Sequence, residues 1–169
     1  MVDRRPRFAR YRVRLGFAGA ILALLLATPT PMSLAIGAGV ALIGEAVRIW
    51  AAGHLDKGRE VTSSGPYRFT RHPLYLGSSI IGVGFAIACA NWIVATIVAL
   101  YLVVTIGSAI RSEEGHLTEK FGGTYPAYRD GLVVDGQRRF SVARVTANRE
   151  YRAIVGLFAA LALLAWKAL

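Results

Sequence analysis

Two long stretches of the chain, residues 15–44 and 74–110, contain no Asp, Glu, Lys, Arg or His. Such stretches constrain the fold strongly, because a helix that crosses the hydrocarbon core of a bilayer needs about 20 apolar residues. The chain of 169 residues is 54% hydrophobic and yet carries a formal charge of +10, a combination that soluble domains of this size seldom show. The separation of charged blocks from apolar stretches therefore predicts an integral membrane protein of the all-α class.

Five membrane-spanning helices are expected from the apolar segments, at residues 14–29, 32–52, 74–91, 92–110 and 152–168. The segments "ATPTPM" and "CANW" between them are too short for anything but tight hairpins, and the prolines of the first end both of its helices. We interpret residues 1–169 as a single polytopic helical bundle, in which residues 60–130 form the functional core.

Eighteen of the 20 Lys and Arg residues lie in three basic blocks, at residues 1–14, 53–73 and 111–152. The positive-inside rule places such blocks in the cytoplasm, and an odd number of spans then puts the C-terminus outside. We therefore expect a protein of the plasma (inner) membrane whose two long connections, and any site that they form, face the cytoplasm. Arginines beside a bilayer are attracted to anionic lipids by about 1 kcal/mol each, so no nucleic acid partner is expected.

Few side chains are available for disulfide bonds or for metal binding. Cys89 is the single cysteine, which excludes an intrachain disulfide, and the three histidines are not at paired ligand spacing. No metal site is therefore expected. Glu45 and Arg48 lie three residues apart near the cytoplasmic end of the second span, where they form either a functional pair or a structural pair that neutralises itself.

The sequence "RHPLYLG", residues 71–77, marks the start of the third span. His72 is biased away from helix because it precedes proline, and Pro73 suits the first position of a helix. We therefore expect the helix to begin abruptly at Pro73 and to leave free N–H groups and its positive dipole end near Leu74 and Tyr75. Such an end favours an anionic or electron-rich ligand group.

The sequence "RSEEGHLTEKFGGTYPAY", residues 111–128, follows the fourth span. Its apolar spacing predicts a helix that continues this span and presents Glu113 or Glu114 just beyond the membrane. Gly122 and Gly123 are expected to end that helix. Alone, a glutamate pair in this position is most often a solvated helix end, and glycines in a membrane helix most often serve packing.

Taken together and in this order, the two motifs resemble the integral membrane methyltransferases, the superfamily of isoprenylcysteine carboxyl methyltransferase and phospholipid N-methyltransferase. The pattern is Arg-His-Pro-x-Tyr-x-Gly, then a Glu-Glu pair, then Phe-Gly and two tyrosines. "GVG" at residues 82–84 also matches the Gly-x-Gly of the phospholipid branch. The resemblance implies that S-adenosylmethionine binds at the cytoplasmic ends of the helices, while a lipophilic acceptor enters from the bilayer.

The resemblance also implies a role for each matched residue. The two glutamates would bind the ribose hydroxyls or the α-amino group of the cofactor, and the arginine with the histidine would receive its carboxylate. The tyrosines would wall the adenine or direct an oxygen at the sulfonium, and the glycines would let the cofactor approach helix backbone. The implied cofactor-binding residues are Arg71, His72, Pro73, Tyr75, Gly77, Gly82, Gly84, Glu113, Glu114, Tyr125 and Tyr128.

Methyl transfer in such a site would be a direct in-line attack on the sulfonium methyl by a carboxylate, amine or thiol of the acceptor. His72 and Glu114 are the nearest groups able to take a proton from an amine, and Arg129 is a candidate for recognising an anionic acceptor. These three are the expected catalytic residues. The chain lacks the Val-Pro-Arg-like sequence that prenylcysteine enzymes tend to show after the second tyrosine, so the acceptor stays open.

Two other functions fit parts of the pattern. A membrane reductase of the sterol type would hold NADPH in a similar pocket, although a glutamate pair suits an additional phosphate poorly. A membrane scaffold without enzymatic activity would leave the His-Pro and Glu-Glu motifs without a purpose.

Overall fold

The computed structural model describes residues 7–132 and 138–169, and the regular elements of these residues are all helical. This confirms the all-α class. Seven α-helices and one short 3₁₀ helix, Gly65–Arg68, follow one another along the described chain. The α-helices are α1 Arg7–Leu26, α2 Pro31–His54, α3 Pro73–Cys89, α4 Trp92–Phe121, α5 Thr124–Arg129, α6 Val142–Ala147 and α7 Tyr151–Ala168.

Three of these helices, α2, α4 and α7, are long and apolar enough to cross a membrane. Helix α3 is equally apolar but has only 17 residues, and α1 lies at the position of the first expected span. The chain is therefore an integral membrane protein, while the number of five spans stays a prediction. Large apolar side chains cover the outside of the bundle, as lipid contact requires; Leu100, Val103 and Trp166 are 62%, 74% and 77% exposed.

The helices begin and end at the residues that the sequence marks. The Thr30 side chain accepts a hydrogen bond from the N–H of Ser33, so it caps α2 just before Pro31. Asn91 caps α4 in the same way, and its amide donates to the carbonyl of Leu26 at 2.9 Å. Helix α4 continues well past the fourth apolar stretch and ends at Gly122, whose φ of +52° favours glycine.

Both short hairpins and the end of α7 meet at one end of the bundle. The N–H of Thr28 donates to the carbonyl of Cys89 at 2.9 Å, which joins the two hairpins. The ammonium of Lys167 donates to the carbonyls of Leu24 and Leu25 at 2.9 and 2.7 Å. The two long connections, residues 55–72 and the described residues 122–132 and 138–150, consequently lie at the opposite end.

Helices α2 and α3 form the most extensive helix pair, and glycines on both allow their backbones to touch. A Cβ atom built on Gly84 would lie 2.5 Å from the backbone nitrogen of Ala41 and 2.6 Å from the carbonyl oxygen of Gly37. A Cβ on Gly44 would lie 2.7 Å from the carbonyl oxygen of Gly77. Such small-residue contacts let membrane helices pack closely, and they fix where α3 begins relative to the end of α2.

The topology gives a first testable prediction. If the end that holds both long connections faces the cytoplasm, reporter fusions at residues 31, 62, 135 and 169 should read out, in, in and out, because the basic blocks are retained inside. Activity of paired cytoplasmic and external reporters in whole cells measures this. A cytoplasmic signal at residue 31 would contradict the orientation.

Candidate functional site

A cavity of about 640 Å³ lies at the end of the bundle that carries the long connections. Its walls come from the ends of α2 and α4, the starts of α3 and α7, and the connection that follows α2. Both polar and apolar side chains face it. The lining residues are Arg48, Leu55, Lys57, Gly58, Glu60, Val61, Thr62, Tyr67, Arg71, His72, Pro73, Leu74, Tyr75, Ala109, Ser112, Glu113, His116, Leu117, Lys120, Phe121, Tyr125, Tyr128, Asn148 and Glu150.

His72 and Glu114 join the two sequence motifs across the cavity wall. The imidazole Nε2 of His72 lies 3.0 Å from Oε1 of Glu114, which makes a hydrogen bond from the ring to the carboxylate. The guanidinium of Arg71 lies 3.5 Å from the same oxygen. His72 and Glu114 are 42 residues apart along the chain. With Arg71 they form one polar cluster, so the structure brings the two motifs together.

The two glutamates of α4 have different surroundings. Glu114 is half-buried and engaged by His72, whereas Glu113 is exposed and lines the cavity. His116, Leu117 and Lys120 lie on the same face of α4 as Glu113, at helical spacing, and line the cavity too. Glu113 is thus the glutamate that a ligand can reach, while Glu114 holds the histidine.

The tyrosines of the second motif close the cavity from the side of α5. Tyr125 is 2% exposed, and its burial, followed by the nearby charge of Glu114, raises the pKa of its hydroxyl to about 12. The Tyr128 hydroxyl donates to the carbonyl of Tyr67 at 2.6 Å, and burial raises the pKa of both these tyrosines. All three hydroxyls therefore remain protonated hydrogen-bond donors.

The start of α3 differs in part from the expectation. The helix does begin at Pro73, with His72 at the N-cap position, but the His72 side chain makes no capping hydrogen bond and turns to Glu114 instead. The N–H groups of Tyr75 and Leu76 both donate to the carbonyl of His72, at 3.1 and 3.0 Å. Of the two positions expected to offer a free N–H group, Tyr75 is therefore already satisfied. The centre of the Tyr75 ring lies 5.8 Å from the centre of the His72 ring.

The wall formed by α2 and α7 contains an ion pair that the sequence did not indicate. The guanidinium of Arg48 donates from Nε to Oε1 of Glu150 at 2.6 Å, and it also donates to the hydroxyl of Ser78. Glu150 is only 4% exposed. Arg48 is thus paired with a residue 102 positions away, and Glu45, buried beside it, has no hydrogen-bond partner among the described residues. Of the two alternatives for Glu45 and Arg48, the self-neutralising pair is therefore not formed, because Arg48 pairs with Glu150 instead.

The sequence did indicate that Arg48 would need a partner of opposite charge. An arginine inside an apolar helix requires a partner, because an unpaired charge at membrane depth is costly. The sequence nevertheless did not show which carboxylate would meet it, since Glu150 lies at the far end of a long connection. Asn148 on the same connection also lines the cavity, and its amide donates to the carbonyls of Ala52 and Leu55 at 2.9 and 3.0 Å.

Four of the expected cofactor-binding residues do not line the cavity: Gly77, Gly82, Gly84 and Glu114. Gly77 and Gly84 face the backbone of α2, and a Cβ on Gly82 would lie 2.6 Å from a methyl carbon of Leu102 on α4. The structure therefore places these glycines in helix packing. Glu114 contacts His72 from outside the cavity lining. Arg129 lines a second, smaller cavity of about 380 Å³.

Residues 43–124 match the model of the phospholipid methyltransferase family. The fold and the site define a polytopic helical membrane protein with a polar cavity at one end, and the matched segment carries most of that cavity. The match includes His72, Glu113 and Glu114, and it confirms the resemblance of this segment to the integral membrane methyltransferases.

A curated protein also aligns with the chain, the nickel-cobalt-cadmium resistance protein NccN of Alcaligenes xylosoxydans xylosoxydans. The two are 32% identical over 88 residues, which cover 51% of this chain and 40% of that protein. The chain thus matches less than half the length of this relative. No solved structure gives a significant match.

Proposed function

We propose that this protein transfers a methyl group from S-adenosylmethionine to a lipophilic acceptor in the membrane, with residues 1–169 acting as one unit. The observation that carries the proposal is the cavity at the junction of the His-Pro and Glu-Glu motifs, within a segment that matches the phospholipid methyltransferase family. We further propose that this end faces the cytoplasm of a plasma (inner) membrane, because the described residues of the basic blocks at 53–73 and 111–152 lie there.

The residues of the cavity fit the chemical groups of this cofactor. Its volume of about 640 Å³ lies within the range of about 300–1,000 Å³ typical of small-molecule sites. Glu113 offers an accessible carboxylate for ribose hydroxyls or an α-amino group. Arg71 and Lys57 offer cations for a carboxylate, and the Tyr75 and Tyr125 rings offer apolar surface for a base.

When bound, the cofactor supplies an electrophilic methyl group on its sulfonium. The chain supplies orientation and exclusion of water, which together account for a large part of the acceleration in such reactions. The apolar side chains of Leu74, Ala109 and Leu117 line the cavity and give the acceptor a dry surface. The acceptor atom is a carboxylate oxygen, an amine nitrogen or a thiol sulfur.

If the acceptor is an amine, the His72–Glu114 pair removes its proton. The hydrogen bond between Nε2 and Oε1 orients the imidazole and keeps the carboxylate beside it, so the pair can take up one proton at the cavity wall. Arg71, 3.5 Å from the carboxylate, favours its ionised form. A carboxylate acceptor would need no such base, and the pair would then serve only to position Arg71.

A reductase that uses NADPH is the second candidate, because Lys57, Arg71 and Lys120 line the cavity and could neutralise a phosphate. Titration of the detergent-solubilised protein with S-adenosylhomocysteine and with NADPH separates the candidates. Saturable binding of S-adenosylhomocysteine alone supports methyl transfer, NADPH binding alone supports reduction, and binding of neither supports a scaffold.

Substitutions in the cavity test the assignment of residues. We expect Glu113→Gln and His72→Ala each to weaken S-adenosylhomocysteine binding by about 1.5–3 kcal/mol, the value of a hydrogen bond to a charged group, which is roughly 10- to 150-fold in Kd. Glu119→Gln is the matched control, because Glu119 lies on the same helix, is exposed and does not line the cavity. Isothermal titration with well-folded variants measures the effect, and unchanged affinity in both cavity variants would assign the motifs to helix structure.

A further inference from the structure

The connection that follows α2 contains a short loop, residues 56–62, that forms one wall of the cavity. The N–H of Asp56 donates to the hydroxyl of Thr62 at 3.4 Å, which closes the base of the loop. At its tip, Gly58 has a φ of +77°, which favours glycine, and a Cβ atom there would lie 3.4 Å from Nζ of Lys120 on α4. The loop therefore extends from the end of α2 to the last turn of α4.

The 56–62 loop is a single layer of chain between the cavity and the solvent. Lys57, Gly58 and Glu60 line the cavity. Arg59 does not line it, and its side chain is 82% exposed, so it points to the solvent. Opening of this loop would consequently expose the cavity to water directly, without any change in the membrane-spanning helices.

Arg138, in the second long connection, holds the loop from outside the cavity lining. Its Nη2 lies 2.7 Å from Oε2 of Glu60, and its Nη1 lies 3.3 Å from Oδ2 of Asp56. Among the residues that the structure describes, both ion pairs that reach the loop from another part of the chain come from this guanidinium. A guanidinium carries its nitrogens in a fixed plane and can face two carboxylates at once, which a lysine ammonium does less well.

The residues after Arg138 are fixed to the end of α2. The Phe140 ring packs on Gly53, and its centre lies 6.1 Å from the centre of the His54 ring. The N–H of Ser141 donates to the carbonyl of Gly53 at 3.1 Å. Arg138 is therefore held in place by contacts that do not involve the loop, and it can keep its position when the loop opens.

We propose that Arg138 is a positioning residue that keeps the 56–62 loop closed and so slows the escape of the ligand from the cavity. Closing loops retain a bound ligand and exclude water from it. The side chains of Arg138 and Glu60 are 25% and 45% exposed, and ion pairs of this kind add little to the stability of a fold. Their loss should therefore release the loop without unfolding the bundle. The identity of the ligand, S-adenosylmethionine, rests on the proposed function, whereas closure of the loop is a property of the chain alone.

Hydrogen exchange of the purified full-length protein without ligand tests the closure of the loop. In Arg138→Gln, peptides that cover residues 56–62 should exchange about threefold faster or more, because local opening sets the exchange rate of such amides. The midpoint of thermal unfolding and the exchange of α4 should stay the same. Arg139→Gln is the matched control, because it removes the same charge from the next residue, which is exposed and does not line the cavity. Unchanged exchange in Arg138→Gln, or an equal increase in both variants, would overturn the proposal.

The dissociation rate of S-adenosylhomocysteine tests the consequence for the ligand. Stopped-flow displacement should give a rate about tenfold higher for Arg138→Gln, since changes of affinity act mostly through dissociation. The rate for Arg139→Gln should stay within about twofold of that of the unsubstituted protein, and Arg138→Lys should lie between the two variants. Binding with an unchanged dissociation rate in Arg138→Gln would contradict the inference. If S-adenosylhomocysteine does not bind the unsubstituted protein, the proposed function fails, and the exchange experiment alone decides whether Arg138 holds the loop.

Discussion

Replacing Glu150 by Leu is expected to destabilise the protein by up to about 3–5 kcal/mol, because it removes the buried carboxylate that pairs with the Arg48 guanidinium, whose side chain is 20% exposed. Glu150 is 4% exposed and lies 2.6 Å from Nε of Arg48. The other described partners of that guanidinium, the Ser78 hydroxyl and the Leu74 carbonyl, carry no charge and cannot replace the ion pair. The loss should appear as a lower midpoint in thermal or denaturant unfolding of the detergent-solubilised protein without cofactor.

A double variant distinguishes the effect of losing the Arg48–Glu150 ion pair from the effect of losing side-chain packing. Arg48→Met together with Glu150→Leu should recover most of the stability, since exchanging a whole buried pair for apolar side chains is often neutral. Asp130→Ala is the exposed control, as Asp130 pairs with Arg129 at the surface, and it should cost less than about 1 kcal/mol. A double variant as unstable as Glu150→Leu would show that the ion pair is not the cause.

The second large effect is expected for Gly84→Leu. The first side-chain atom would lie 2.5 Å from the nitrogen of Ala41 and 2.6 Å from the carbonyl oxygen of Gly37. Both are backbone atoms of α2 and cannot rotate away, so the cost should exceed the roughly 1–3 kcal/mol typical of an overpacked core. We expect little monodisperse protein in size-exclusion chromatography after solubilisation.

Gly39→Leu is the matched control for this substitution, because it lies on α2 and a Cβ there meets nothing within 4 Å. Its yield and elution should resemble those of the unsubstituted protein. Gly77→Leu should behave like Gly84→Leu, since the new side chain would meet Arg48 and the carbonyl of Gly44. Gly77 therefore serves helix packing, whereas the resemblance implied close approach of the cofactor. Normal yield and folding of Gly84→Leu would contradict the close α2–α3 contact.

The boundaries of the helices were predictable because they depend on neighbouring residues. Pro73 starts α3, Asn91 caps α4, and Gly122 ends α4, each through a local property of that residue. The meeting of the His-Pro motif with the Glu-Glu motif was likewise anticipated from their order. Predicting these features requires only the local properties of single residues or a known sequence pattern.

Interactions between distant segments were not predictable in the same way. Nothing near Arg48 in the sequence indicates Glu150, and the nearer acid, Glu45, proved to be without a described partner. The glycines of α3 were assigned to the ligand because a glycine allows close approach of any group. Only the packed bundle shows that the approaching group is the backbone of α2.

The pairing of Arg48 with Glu150 also bears on how the chain is made. During synthesis, Arg48 of α2 is made before Glu150, which lies 102 residues further along the chain. Arg48 is therefore without this carboxylate while those residues are translated. The ion pair forms only after Glu150, which directly precedes α7, has been made. Lys167 of α7 in turn donates hydrogen bonds to the carbonyls of Leu24 and Leu25. The position of α2 is thus tied, through this one ion pair, to a residue that is synthesised 102 positions later.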